Sequence, residues 1–293
     1  MSDSIIPEPK HHFFSSDGLK IHYSEWGNAD ADPTIFIHGI RDQGLSWTFL
    51  LSAFARLGFP VGHAVAIDLR GHGDSDWANN SSRGGYQHED FLRDVSSLIK
   101  HLSKDSVTLI GHSLGGSMAL LYAGCFPNMV KNLVLIESVG PFAKADEDVP
   151  ELMAERLQGR RKAKATIYKS LTDAASAIKK RFPLIPDDVC EHMARHGTKR
   201  IGTGYTWKYD PHFRFRSTTM LSEGQIAAFI KRLECPTLLV YGTESDFMES
   251  LRARRIQLFK NAKIMAVEGA GHHIPHERPN ELAKIIAPFL FPG

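Results

Sequence analysis

Short runs of β-branched and aliphatic residues alternate with longer stretches of helical period along most of this chain. That alternation is the pattern of a mostly parallel sheet covered by helices on both faces. The segments His12 to Phe14 and Lys20 to Trp26, turning at Asp17 and Gly18, read as an N-terminal hairpin, and Thr34 to Ile37 as a buried strand. Trp47, Leu50, Leu51, Phe54 and Leu57 then recur at intervals of three and four, so one helical face is apolar. The unit repeats as Gly62 to Asp68 with a helix through Phe91, Val95, Leu98, Ile99 and Leu102, as Ser106 to Ile110 with a helix after Ser113, and as Leu133 to Ile136. It resumes at Thr237 to Tyr241 and at Lys263 to Val267.

The gap between these two series reads as an insertion within the sheet domain. Expected boundaries are a first core part over 1–140, a helical cap over 141–225 and a second core part over 226–293. Three groups within the cap fall on helical faces: Val149, Leu152, Met153 and Leu157; Ile167, Leu171 and Ile178; Val189 and Met193. Pro186 to Asp188 reads as a helix start and Gly197 as its stop.

Composition narrows the function classes. A net charge of +2, from 35 basic and 33 acidic side chains, gives no global field suited to nucleic acid. No apolar stretch approaches the roughly 18 residues needed to span a bilayer, so no membrane span is expected. Residues 1–10 lack the apolar core of a secretory signal, and Cys125, Cys190 and Cys235 form no C-x-x-C pair; a cytoplasmic location is expected.

The chemistry is carried by Val107 to Gly116, a strand running into a glycine-flanked serine and then a helix. Such a turn forces Ser113 into a strained conformation, tolerable only where the residues two before and two after lack bulk; Gly111 and Gly115 meet that condition. The strained turn exposes the hydroxyl at the carboxyl edge of the sheet. The structural alternative is a glycine-rich turn with a capping serine, but strand and helix on either side favour a nucleophile.

With these residues in view, the chain resembles the α/β-hydrolase superfamily over nearly its whole length. His38 to Arg41 matches the oxyanion loop, Asp68 to Ser75 a mainly architectural loop, Gly111 to Gly116 the nucleophile elbow, and Gly269 to His272 the loop carrying the histidine. Leu133 to Pro141 and Trp207 to Pro211 resemble capped, esterase-like members related to serine hydrolase-like proteins. The resemblance implies the α/β-hydrolase fold, a mostly parallel eight-stranded sheet with helices on both faces and a helical cap insertion, and a Ser-His-acid triad.

A serine hydroxyl needs a base, and histidine is the usual one because its pKa lies near neutrality. Among 15 histidines, His272 holds the motif position, with His273 and His276 as neighbours that could instead cap a helix or line a pocket. Two carboxylates compete for the acid. Most members place it three residues after the glycine of the seventh strand, but here Ser245 stands there and Asp246 comes one later. Glu137 occupies the second family site, at the end of the sixth strand, and its Glu-x-x-Gly-Pro context favours it over Asp246. The backbone N–H groups of Ile40 and Leu114 are the expected oxyanion donors.

Arg41, His112, Trp207 and Phe213 are candidate substrate contacts. Tyr209 and Phe215 could join an apolar acyl pocket or belong to the cap's own small core. Between Arg156 and Arg181, nine basic residues (Arg156, Arg160, Arg161, Lys162, Lys164, Lys169, Lys179, Lys180, Arg181) stand against the single acid Asp173; a solvated face is the favoured reading over an anion-steering patch. No cofactor and no metal are expected, and the expected partner is a small-molecule acyl substrate, with a homodimer and an acyl carrier as weaker options. A serine hydrolase acting on a carboxylic ester is the leading function. C–C bond hydrolase, lactonase, thioesterase, cofactor-free peroxidase and noncatalytic small-ligand receptor are the alternatives. Epoxide hydrolase and dehalogenase chemistry are disfavoured, since those relatives carry a carboxylate where Ser113 stands.

Overall fold

The computed structural model describes residues 6–59, 62–78, 85–143, 145–157, 165–211, 213, 221–247 and 249–292. The sheet strands are β1 (Lys10–Ser16), β2 (Leu19–Gly27), β3 (Pro33–Ile37), β4 (His63–Ile67), β5 (Val107–His112), β6 (Val130–Ile136), β9 (Thr237–Gly242) and β10 (Ala262–Val267). Two further strands, β7 (Thr198–Ile201) and β8 (Gly204–Trp207), pair only with each other. The helices are α1 (Thr48–Arg56), α2 (His88–His101), α3 (Leu114–Cys125), α4 (Val149–Leu157), α5 (Leu171–Arg181), α6 (Asp187–Gly197), α7 (Glu223–Lys231), α8 (Glu249–Arg255), α9 (Ile274–Glu277) and α10 (Pro279–Leu290).

The eight-stranded sheet runs β1-β2-β4-β3-β5-β6-β9-β10. Strand β2 pairs antiparallel with β1 and β4, and every later pairing is parallel. Its centre is covered on both faces, which is why β4 and β5 are buried at every position instead of alternating. Side chains still point to opposite faces in turn. Ile35, Ile37, Leu109, Leu133 and Leu135 join the core under α2, α3 and α7, while Phe36, Ile110, Val134 and Ile136 join the one under α1 and α10. Helix α3 is buried from Leu114 to Gly124, as a helix apolar all round must be.

Between β6 and α7 the described chain adds no strand to this sheet. Helices α5 and α6 pack on each other and enclose their own core of Ala174, Ala175, Ile178, Ile185, Val189, Cys190 and Ala194. Two features depart from the sequence reading. The segment includes the β7–β8 hairpin as well as helices, and Ile167 precedes α5, at 62% exposed, instead of lying on its apolar face. Ser170 starts α5 by accepting from Asp173 N–H, a capping box. Helix α7 begins at Glu223, just before the expected boundary at 226, and Phe229 packs against Gly124 of α3. Arg160, Arg161, Lys162, Lys164 and Phe215 lie outside the described residues.

The loop after β4 anchors the sheet's edge through buried polar pairs that sequence reading missed. Arg70, fully buried, forks onto Asp94 of α2 at 2.7 and 2.6 Å. Asp68 accepts from Gly44 N–H at 2.6 Å, Asp74 N–H at 2.9 Å and His22 Nδ1–H at 2.7 Å. His22, Asp68 and Asp74 are close enough to offer atoms to one cation, but these bonds and Lys208 on Asp74 already engage the carboxylates. Removing one member of a buried pair strands the other charge, so Asp94→Ala is expected to lower stability by about 3–5 kcal/mol in urea unfolding. A loss below about 1 kcal/mol would mean the pair is dispensable.

Candidate active site

At the end of β5 the backbone turns abruptly: Ser113 has φ 54 and ψ −113, and α3 starts at the next residue. A side chain at Gly115 would overlap the carbonyls of Ile37 and His38, and one at Gly111 would overlap Gly115 itself. The two glycines thus let the turn and its helix press against β3. The hydroxyl projects at the carboxyl edge of the sheet, where Gly39, His112 and Ser113 line one cavity with His272 and His273.

Ser113 Oγ lies 3.1 Å from His272 Nε2, and His272 Nδ1 lies 3.2 Å from Glu137 Oε2. An ionised carboxylate can only accept, so Nδ1–H donates to Glu137, and Nε2 is left to accept from the Ser113 hydroxyl. Glu137 is buried and follows β6 with φ 51. Its Oε1 accepts from Gly242 N–H at 2.8 Å, and its Oε2 accepts from Ser245 Oγ–H at 2.7 Å. The position where relatives most often carry the acid is therefore occupied by a hydroxyl that donates to Glu137. Asp246 is exposed, with no side-chain hydrogen bond to another described residue.

Two contacts fix the loop carrying His272. The Glu277 carboxylate spans the backbone N–H groups of Gly271 and His273, on either side of His272. His112 Nε2–H donates to the His272 carbonyl at 2.8 Å, tying this loop to the serine turn. The Phe247 ring packs on His272 with centroids 3.9 Å apart. His273 lines the cavity, whereas His276 is buried with Nε2 3.1 Å from Asp42 Oδ2, out of line for a hydrogen bond. Burial opposes ionisation of Asp42, but His276, with His38 and the Ser46 hydroxyl, outweighs it and holds the carboxyl well below its usual range.

Neither the Ile40 nor the Leu114 N–H has an acceptor among the described residues. Leu114 begins α3, where the first N–H groups have no intrahelical partner and the dipole favours negative charge. The cavity, about 690 Å³, lies between the sheet edge and the inserted segment. Arg41, His112 and Trp207 line it. Phe213 does not: it is buried against His72 and Tyr86, with ring centroids at 4.7 and 4.8 Å. A helical-face or aromatic pattern cannot distinguish these two destinations.

Burial pushes His273 and His72 down to about 3, and pushes His112 well below its ordinary value, with His272, His273 and His276 adding to the effect on His112. In the folded protein these rings take up protons only well below the ordinary histidine range, so their contribution is complete above about pH 6.5 and falls away as the pH drops toward their folded values. Each fully buried histidine costs up to about 1.4 kcal/mol per pH unit in that window. His72 and His112 are both fully buried. Urea unfolding at pH 5 should therefore show a clearly lower stability than at pH 7. Equal stability at the two values would contradict the burial of neutral rings.

Residues 34–285 match the alpha/beta hydrolase family. The chain belongs to that family. Among similar alpha/beta hydrolases, a serine hydrolase-like protein of Dictyostelium discoideum is 22% identical, over 94% of this chain and 79% of that protein. A bifunctional esterase/perhydrolase of Acinetobacter calcoaceticus is 25% identical, over 94% of this chain and 98% of its own. The solved thioesterase domain from the curacin biosynthetic pathway superposes with a TM-score of 0.82 at 25% identity, over 96% of this chain and all of that one. This hydrolase shares its fold with that thioesterase domain over nearly its whole described length. Among its described residues, no helix is long and apolar enough to cross a membrane.

Proposed function

We propose that this alpha/beta hydrolase is a serine hydrolase that cleaves a carboxylic ester, or a similarly activated acyl substrate, through an acyl-enzyme. The carrying observation is the hydrogen-bonded series Ser113, His272 and Glu137, at 3.1 and 3.2 Å. Ser113 Oγ attacks the acyl carbon while its proton passes to His272 Nε2. Negative charge grows on the carbonyl oxygen, where the Ile40 and Leu114 N–H groups donate to it. Glu137 holds the imidazole in the tautomer that accepts this proton and stabilises the imidazolium. Collapse expels the alcohol, which takes the proton from Nε2. Water, activated by the same nitrogen, then releases the acid and regenerates Ser113.

The segment 141–225 acts as a cap over the site, contributing Tyr168, Arg181, Trp207 and Tyr209 to the cavity wall. Cysteines that form no disulfide suit a reducing, cytoplasmic setting. The esterase/perhydrolase and thioesterase relatives support acyl transfer and set the test panel. Stopped-flow measurement on p-nitrophenyl esters, thioesters and lactones should give turnover, with a p-nitrophenol burst of about one equivalent where deacylation is slow. Inertness across all three substrate classes would contradict the reading and favour a ligand receptor on the same fold.

A further inference from the structure

Arg41 and Arg181 line the cavity that holds Ser113, one from the loop after β3 and the other from the last residue of α5. A guanidinium keeps its charge at any working pH. Neither has an ion-pair partner among the described residues, and Asp42 and Asp187 are engaged elsewhere. Asp42, next to Arg41, faces His276 and Ser46, and Asp187 pairs with Lys179. Arg181 thus differs from its basic neighbours Lys179 and Lys180, which do not line the cavity.

Tyr209 lines the same cavity as the two cations. The Arg41 guanidinium stands 5.5 Å over the Tyr209 ring. Burial raises the phenol's pKa, and the charges of Arg41 and, more weakly, Arg181 act against that rise. The Arg181 guanidinium itself stands 5.3 Å over the Phe182 ring, which also lines the cavity. Arg41 also holds φ 63, a left-handed conformation that is unfavourable for a non-glycine residue.

We propose that Arg41 and Arg181, lining one cavity with Tyr209, bind an anionic oxygen group of the substrate, a carboxylate or a phosphate, so that the preferred substrates are anionic acyl compounds. Two forked donors fit such a group, and a cavity of about 690 Å³ holds it together with an acyl group at Ser113. This rests on the hydrolase reading for the acyl half only.

Two matched pairs test it: p-nitrophenyl hydrogen glutarate against its neutral methyl ester, and an S-acyl phosphopantetheine against the same acyl group on N-acetylcysteamine. A charge-assisted hydrogen bond makes a preference of about tenfold or more in kcat/KM the expected result for one anionic member, chiefly through KM. The responding pair identifies carboxylate or phosphate. The preference should shrink about tenfold in Arg41→Gln/Arg181→Gln, survive largely in Arg41→Lys/Arg181→Lys, and weaken in the wild type near 0.5 M salt. No preference in either pair, or one that survives both glutamines, overturns the proposal. If nothing is hydrolysed, calorimetry with glutarate and phosphopantetheine still decides: saturable binding lost in the double glutamine variant supports the anion site while the hydrolase reading fails, and no binding overturns it.

Discussion

Ser113→Ala is expected to keep the fold and to lower ester turnover by about 10⁴- to 10⁶-fold, because it removes the hydroxyl that faces His272 Nε2, the proposed nucleophile. The change removes one partly buried oxygen whose only described side-chain partner is His272, so thermal unfolding should shift little. Residual rate would come from the backbone donors and from binding alone. His272→Ala should fall into the same range, and the double variant should be hardly worse than either single one, since the two groups act as a unit. Retention of more than a few per cent of kcat in Ser113→Ala would exclude the proposed nucleophile.

The second large effect separates the two carboxylates. Glu137→Gln keeps the size of the side chain but removes the charge that faces His272 Nδ1 at 3.2 Å. Its amide can also present an N–H toward Nδ1, which selects the wrong tautomer of the imidazole. Loss of the acid reaches about 10⁴ in kcat in a serine protease triad, and a similar loss is expected here. Asp246→Asn, on an exposed side chain, should stay within a few-fold of wild type. If instead Asp246→Asn abolishes turnover and Glu137→Gln is nearly silent, the acid belongs to the loop after β9, as in most relatives.

The individual strands and the serine turn were legible because they rest on local constraints. Apolar runs mark β3, β5 and β6, and only glycine fits at 111 and 115, where backbones come into contact. The proposed acid was harder to read because its position depends on distance across strands. A one-residue shift puts Ser245 opposite Glu137, and the sequence shows the shift but not the hydrogen bond that gives it meaning. Glu277 gave no signal at all: its carboxylate acts on backbone N–H groups, which no side-chain motif records. The β7–β8 hairpin did leave one, in Gly202 and Gly204 between β-favouring residues, but the helical pattern on either side masked it. Phe213 and Trp207 look alike as sequence, yet one joins the core beside Phe91 and the other the cavity wall.

Peptide-mapping mass spectrometry after treatment with a fluorophosphonate tests Ser113 as the nucleophile most directly. Attack by Oγ on phosphorus expels fluoride, so a single phosphonyl adduct on Ser113 is expected in the wild type, with labelling lost in Ser113→Ala and strongly slowed in His272→Ala. An unmodified Ser113 under conditions that label a control serine hydrolase, or an adduct on another residue, would contradict it.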